Sequence, residues 1–144
     1  MRSDNALVDL RPVPGIDDIE DLVARLRSSD VRVELRRDMN SRSLPAGLQT
    51  AVYRIVQEAL NNVIKHAGRA NALITIEQHA EALTLSVRDD GATSPSARHD
   101  RQGNGVRGMR ERAVQVGGTL QAGPATDGGW HVQARLPIDP AAVA

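Results

Sequence analysis

The chain has 144 residues, which is enough for one domain with a sizeable hydrophobic core. Its 18 basic and 18 acidic side chains cancel, so bulk electrostatics favour neither a nucleic-acid nor a membrane partner. There is no cysteine, which excludes disulfides and thiolate metal sites. Phe is also absent, and one Trp and one Tyr are the only aromatic residues, so the core must consist mainly of Leu, Val, Ile and Ala.

The first half of the chain predicts a helix, a strand and a second, longer helix. Residues 1–14 show no periodicity and are interpreted as a tail or a linker stub. Apolar side chains at helical spacing predict a helix over 16–28, and alternation of apolar and charged residues predicts a half-buried strand over 31–36. The long helix begins at Pro45, which suits a first turn, and a glycine after Ala67 ends it.

The second half of the chain predicts four strands, a loop and a helix. The strands are expected at 72–78, 83–87, 119–122 and 130–136, the loop at 92–104 and the helix at 105–116. A short connection between the first two strands favours an antiparallel hairpin. The order of elements predicts an α/β two-layer sandwich, in which about three helices cover one face of a mixed sheet.

The long helix carries a polar stripe that could bind a ligand. At about 100° per residue, Glu58, Asn62 and Lys65 fall within roughly 60° of one another, because residues four and seven apart share a helix face. A carboxylate, an amide and an ammonium in one row suit a divalent cation with phosphates. The helix alone leaves an alternative open, which is a solvated face stabilised by an Arg54–Glu58 pair.

Two further segments could contribute to the same site. Asp89 ends a predicted strand and could accept a hydrogen bond from an exocyclic amine, while Gly91 would let a planar ring approach the backbone. The alternative there is a plain Asp-Gly turn. Gly103, Gly105 and Gly108 surround the start of a predicted helix, where backbone N–H groups can bind phosphates. Glycines are also common at helix entries, and this run matches neither a Rossmann fingerprint nor a Walker loop.

Taken together, these motifs resemble a known family. They read Glu58-x-x-x-Asn62-x-x-Lys65-His66, then Asp89-x-Gly91, then Gly103-x-Gly105-Val106-x-Gly108-Met109-Arg110-Glu111-Arg112. This order and spacing look like the ATP-binding catalytic domain of sensor histidine kinases. More narrowly, they are similar to the NarL/DesK-like subfamily of the GHKL (Bergerat) ATPases. The resemblance covers roughly residues 10–137.

The resemblance implies a Bergerat-type fold over residues 15–138, with 139–144 as a tail, and it implies ATP and Mg²⁺ as cofactors. Asn62 would bind the Mg²⁺, and Glu58 would act in proton transfer or hold a metal-bound water. Lys65 and His66 would face the phosphates. Asp89 would accept a hydrogen bond from the adenine amine, and Gly91 would make room for the ring. The phosphates would be bound by the segment that contains Gly103, Gly105, Val106 and Gly108. Residues 92–104 would form a lid.

The resemblance also implies partners and a compartment. The domain would donate the γ-phosphoryl group of ATP to a histidine on a separate dimerisation domain, with a response regulator downstream. We expect a cytoplasmic domain that is monomeric alone and contacts neither nucleic acid nor membrane, whereas the full-length protein could be anchored through another part. The alternatives are an anti-sigma-factor-like serine kinase and a nucleotide-binding or interaction module without kinase activity.

Three features depart from the family pattern. Thr93 stands where the adenine motif usually continues to a second glycine. Trp130 follows Gly129 where a threonine often stands, and we expect that position to lie near the phosphates. The chain also lacks a helix with a phosphoacceptor histidine, since its histidines are His66, His79, His99 and His131.

Overall fold

The computed structural model describes residues 13–26, 30–40, 43–91 and 103–139. These ranges contain three helices and five strands. The helices are α1 (Ile19–Arg25), which follows a 3₁₀ turn at Ile16–Asp18, α2 (Ala46–His66) and α3 (Asn104–Gln115). The strands are β1 (Val31–Asp38), β2 (Ala70–Gln78), β3 (Ala82–Asp89), β4 (Thr119–Pro124) and β5 (Trp130–Pro137).

The strands form one mixed sheet in the order β1-β2-β3-β5-β4. The β1 and β2 strands are parallel, and every other neighbouring pair is antiparallel. The predicted hairpin is therefore confirmed for β2 and β3. The last strand, β5, lies between β3 and β4, which places Trp130 opposite Asp89. This insertion matters for the site, because it brings a late segment of the chain beside the end of β3.

All three helices pack on one face of the sheet. The α2 helix contacts β2 and β3, α3 contacts β4 and β5, and α1 contacts β1 and α2. Alternate strand residues such as Ala72, Ile74 and Ile76 are buried on this face, because side chains along a strand point to opposite sides. The other face carries polar side chains, among them Ser86 and Arg88. The predicted two-layer α/β sandwich is confirmed.

The long helix lies at the centre of the core, and its ends follow the prediction. Pro45 occupies the N-cap position with φ −56°, which needs no backbone N–H, and Gly68 follows the helix with φ +67°. Between these ends, ten side chains of α2 are buried, among them Val52, Ile55 and Val56. None of the described helices is long and apolar enough to cross a membrane.

The first predicted helix, over 16–28, differs in detail. The Gly15 N–H donates to the Asp18 carboxylate at 2.7 Å, and the first turn is 3₁₀ because Asp18 N–H bonds back to the Gly15 carbonyl. The α-helix then ends at Arg25, and residues 27–29 lie outside the described ranges. Most of the predicted loop (92–102), most of the N-terminal segment (1–12) and the last residues (140–144) also lie outside them.

Candidate functional site

The acidic end of β3 forms one part of the site. Asp89 is the last residue of β3 and is only 2% exposed, in the ladder between Ala72 and Trp130. Its Oδ1 accepts a hydrogen bond from the Gly91 N–H at 3.0 Å. A carboxylate buried at a strand end, with its orientation set by the following turn, is suited to accept a hydrogen bond from a ligand amine.

Gly91 also has a packing role, which no local feature of the sequence indicates. A Cβ at position 91 would lie 2.5 Å from the Cβ of Ala67 and 3.1 Å from its carbonyl oxygen. The missing side chain therefore faces the end of α2, so the glycine is needed for helix packing whether or not a ring also approaches. The contact brings the Asp89–Gly91 turn against the helix that carries the polar stripe.

Gly129 makes a second close approach to the same turn. A Cβ at position 129 would collide with the Asp89 carbonyl oxygen, and it would lie 3.1 Å from the Asp90 Cα. Backbone atoms cannot move aside as a side chain can, so only glycine fits here. No local sequence signal marks this role, because it depends on β5 pairing with β3.

Asp90 and Asn71 were also missed from the sequence. The Asn71 N–H and its Nδ2 donate to the two oxygens of the Asp90 carboxylate, at 2.7 and 2.9 Å. These bonds hold the pKa of Asp90 below its usual value, the side-chain bond from Asn71 having the larger effect and the backbone bond the smaller. The pair ties the turn after β3 to the start of β2.

The polar stripe of α2 is graded in exposure. Asn62 is 8% exposed, and its Nδ2 has no hydrogen-bond partner among the described residues. Glu58 and His66 are half-buried, and Lys65 is exposed in the last turn. A buried amide without a partner costs free energy unless a ligand or water satisfies it, so the stripe is not a plain solvated face.

The alternative reading of the stripe predicted an Arg54–Glu58 pair. Within the described part of the chain, Arg54 Nη1 instead donates to the Gln57 Oε1 at 3.2 Å. Its guanidinium lies over the Tyr53 ring, 5.7 Å from the centroid. Arg54 therefore turns away from Glu58, and the proposed i,i+4 ion pair does not form.

The glycine-rich segment meets the stripe at the start of α3. The Glu58 Oε1 lies 3.3 Å from where a Cβ on Gly105 would stand. This places a carboxylate near the helix terminus that attracts anions, since the first N–H groups of a helix are unsatisfied. Gly103 is the N-cap residue. The site thus includes a helix N-terminus facing one end of the stripe.

The other two members of that segment differ from Gly105. Val106 is 1% exposed, and its side chain belongs to the hydrophobic core, so only its backbone can face a ligand. Gly108 is half-buried and has open space where a Cβ would stand. Gly105 is therefore the member of this group whose missing side chain matters for the contact with α2.

A divalent cation fits this site only with help from a ligand. The described ranges contain no group of three or more His, Asp or Glu side chains that could hold a metal ion. Asn62 supplies a buried amide whose oxygen can coordinate a hard cation. A Mg²⁺ ion held here would draw its remaining ligands from phosphate oxygens and water, which is the usual arrangement for Mg²⁺.

Trp130, at the position expected to lie near the phosphates, stands beside the end of β3. It faces Asp89 in the ladder and is 1% exposed on the helix-covered side of β5. The position thus adjoins the residue expected to bind the base, because β5 inserts next to β3 rather than at the sheet edge. Thr93 lies outside the described residues.

Comparison with known families identifies the class of protein to which this domain belongs. The model of the histidine kinase-, DNA gyrase B- and HSP90-like ATPases matches residues 47–140, well over half of the chain. The chain belongs to this ATPase family, whose ligand is ATP. The resemblance to the ATP-binding domain of histidine kinases is confirmed at this level.

Curated relatives are sensor kinases of greater length. The chain is 29% identical over 139 residues to the sensor protein VraS of Staphylococcus saprophyticus, covering 92% of this chain and 40% of VraS. It is 33% identical over 100 residues to the sensor histidine kinase YxjM of Bacillus subtilis, covering 69% of this chain and 24% of YxjM. The chain thus spans less than half of each relative.

Solved structures share the fold. The blue-light activated histidine kinase EL346 of Erythrobacter litoralis superimposes with a TM-score of 0.68 at 21% identity, over 88% of this chain and 46% of that one. The catalytic domain of the histidine kinase ThkA gives a TM-score of 0.65 at 15% identity, over 85% of this chain and 90% of that one.

Proposed function

We propose that the chain is the catalytic part of a two-component sensor histidine kinase. It binds Mg-ATP and donates the γ-phosphoryl group to a histidine on a separate dimerisation domain, from which a response regulator takes it. The domain occupies residues 15–138, works in the cytoplasm and belongs to the NarL/DesK-like subfamily, whose regulators have helix-turn-helix outputs. The observation that carries this proposal is the convergence of three motifs on α2.

That convergence has a direction along the helix. Ala67 contacts Gly91 at the C-terminal end of α2, and Glu58 contacts Gly105 nine residues earlier. Nine residues of α-helix span about 14 Å. A nucleoside triphosphate lying along α2 would place its base by Asp89 and its phosphate chain along the stripe from Lys65 to Glu58, towards the start of α3.

The base end of the site would recognise the adenine amine. Asp89 would accept its hydrogen bond, and Gly91 would hold the carboxylate through the N–H that already bonds to Oδ1. Because Asp89 is 2% exposed, water competes poorly for this bond. A ligand without the amine would not make this hydrogen bond to the buried carboxylate, which is how such a site selects its base.

The phosphate end would use charge and backbone dipoles. ATP supplies the phosphoryl group, and Mg²⁺ neutralises charge on its oxygens. Asn62 would hold the cation, Lys65 and His66 would face the phosphates, and the backbone N–H groups that follow Gly103 would bind them. Glu58 would hold a proton at its carboxylate during transfer.

Calorimetric titration of Mg-ATP tests the assignment. We expect binding by the 144-residue chain, weaker binding by Asp89→Asn, and weaker binding by Asn62→Ala. The matched control is Asn61→Ala. Asn61 is the residue before Asn62 and carries the same side-chain amide, but it is exposed, so this variant should bind Mg-ATP like wild type. Absence of binding by wild type would refute the nucleotide site, and wild-type affinity in both site variants would refute the residue assignment.

A transfer assay separates the kinase from its rivals. Radiolabelled ATP is mixed with the chain and a separately supplied phosphoacceptor helix bundle. Label on the acceptor histidine supports the kinase. Label on a serine of a partner would indicate the serine kinase instead, and tight binding of ATP without transfer to any supplied acceptor would indicate a binding module.

A further inference from the structure

The β2–β3 ladder ends in an unusual way at Asp90. The Asp90 N–H donates to the Asn71 carbonyl at 3.1 Å, as in a regular antiparallel pair. In such a pair the two residues exchange two backbone bonds. Here the Asn71 N–H donates instead to the Asp90 side chain, at 2.7 Å to Oδ1, and Asn71 Nδ2 donates to Oδ2 at 2.9 Å.

The carboxylate therefore replaces the carbonyl of its own residue in the ladder. A regular pair would keep the chain in the sheet for another residue. With its N–H satisfied by a side chain, Asn71 no longer needs the Asp90 carbonyl, and the backbone can leave the sheet directly after β3. It turns so that Gly91 packs on Ala67 and its N–H reaches the Asp89 Oδ1.

We propose that Asp90 and Asn71 form a clasp that positions the Asp89 carboxylate and thereby sets the preference of the site for a purine with a 6-amino group. This inference rests on the proposed function, because it assigns the selectivity of the same site. Asp90 is a positioning residue, since it acts through the Gly91 N–H and Asp89 and need not touch the nucleotide.

The clasp acts through geometry rather than through bond strength. Asp90 and Asn71 are both exposed, so water could replace each bond singly at small net cost. Three hydrogen bonds nevertheless join Asp90 to Asn71, and together they fix the orientation of the turn after β3. The pKa of Asp90 is lowered chiefly by the side-chain bond from Asn71, so the carboxylate is ionised and the clasp is closed at neutral pH.

The test measures selectivity rather than affinity alone. Mg-ATP and Mg-purine riboside triphosphate, which lacks the 6-amino group, are titrated into wild type, Asp90→Ala, Asn71→Ala and Asp90→Asn. We expect wild type to prefer ATP by about tenfold or more. Asp90→Ala removes both acceptor oxygens of the clasp and should lower that ratio by about threefold or more. Asn71→Ala removes only the Nδ2 donor and keeps the backbone N–H bond to Oδ1, so it should lower the ratio less. Asp90→Asn keeps one acceptor oxygen and should stay nearer to wild type.

Controls separate this effect from general damage. Asp17→Ala removes another exposed carboxylate, which bonds to Arg37 at 3.0 Å and is far from Asp90 along the chain, and it should leave the ratio unchanged. A loss of protein stability alone would weaken the binding of both nucleotides by the same factor and leave the ratio unchanged. The ratios in Asp90→Ala and Asn71→Ala could equal that of wild type while wild type binds ATP and Asp89→Asn binds it more weakly. That result would overturn the role of the clasp and leave the proposed function standing. Failure of wild type to bind ATP would overturn the proposed function as well.

Discussion

Gly91 packs directly against Ala67, with space for a hydrogen but not for a methyl group. A Cβ at position 91 would lie 2.5 Å from the Ala67 Cβ and 3.2 Å from its Cα. This contact joins the end of β3 to the end of α2, the two elements that carry Asp89 and the polar stripe. The geometry of the proposed site thus depends on a contact that no other residue type allows.

Gly91→Ala should destabilise the fold and weaken Mg-ATP binding. Overpacking at a rigid contact costs about 1–3 kcal/mol, and here the turn that orients Asp89 must move. Urea denaturation and nucleotide titration measure the two effects. Adding Ala67→Gly removes the colliding Cβ but leaves the carbonyl at 3.1 Å, so it should restore part of the loss. Equal stability of Gly91→Ala and wild type would contradict this account.

Gly108→Ala is the matched control for that substitution. It adds the same methyl group inside α3, where no described atom other than the backbone of the helix itself lies within 4 Å of the new Cβ. Glycine in a helix interior costs roughly 0.5–1 kcal/mol relative to alanine, so this variant should be more stable than wild type. If Gly108→Ala were less stable than wild type, an added methyl group would be destabilising even without a collision. The loss of stability in Gly91→Ala could then not be attributed to the contact with Ala67.

Gly105→Ala should separate stability from phosphoryl transfer. The new Cβ would lie 3.3 Å from the Glu58 Oε1, which is the far end of a flexible side chain and can move. Stability should stay within about 1 kcal/mol of wild type, because helix propensity offsets the crowding. Transfer to the supplied acceptor should fall, because Glu58 is displaced. Glu58→Ala and the double variant Gly105→Ala/Glu58→Ala should lose the same fraction of transfer activity if Gly105→Ala acts through Glu58. Additive losses in the double variant would contradict that explanation.

The elements with strong local signals were predicted well from the sequence. A proline and a glycine bound α2, so its predicted ends, Pro45 and Ala67, lie within one residue of the observed ends. The short connection after β2 likewise indicated the hairpin correctly. These features depend on neighbouring residues, and a single sequence therefore contains the information that determines them.

Features of the site that depend on long-range pairing were not predictable. Nothing local indicates that β5 lies between β3 and β4, so neither the approach of Gly129 to Asp89 nor the position of Trp130 could be derived. The pairing of Asn71 with Asp90 likewise requires the register of two strands. The need for Gly91 was predicted, but the contact with Ala67 that requires it was not.

Trp130 provides a direct optical test of where the base binds. It is the only tryptophan in the chain, is 1% exposed and lies opposite Asp89. Mg-ATP should change its fluorescence intensity or emission maximum, because a ligand at Asp89 alters the surroundings of the indole. Asp89→Asn should reduce the response, and Asn61→Ala should leave it unchanged. A full response in Asp89→Asn would place the nucleotide elsewhere.

The polar face of the sheet should make stability depend on pH through His131. Its Nε2 lies 2.7 Å from the Ser86 Oγ. Burial lowers the pKa of His131, the nearby Arg88 charge lowers it further, and Asp127 opposes the shift. The unfolded chain then binds a proton more readily than the native one. The free energy of unfolding should therefore fall as pH drops through the unfolded value of 6.5 towards the lower native pKa.

Two variants isolate this contribution in urea denaturation between about pH 7.5 and 5.5. His131→Gln removes the titrating group, so its unfolding free energy should depend less on pH than that of wild type. Asp127→Asn removes the carboxylate that raises the pKa, so its dependence should be steeper below pH 6.5. Asp127 also bonds to Arg88 at 3.1 Å, and losing that exposed ion pair should lower the whole curve only slightly. Parallel curves for wild type and His131→Gln would show that the protonation of His131 does not affect folding.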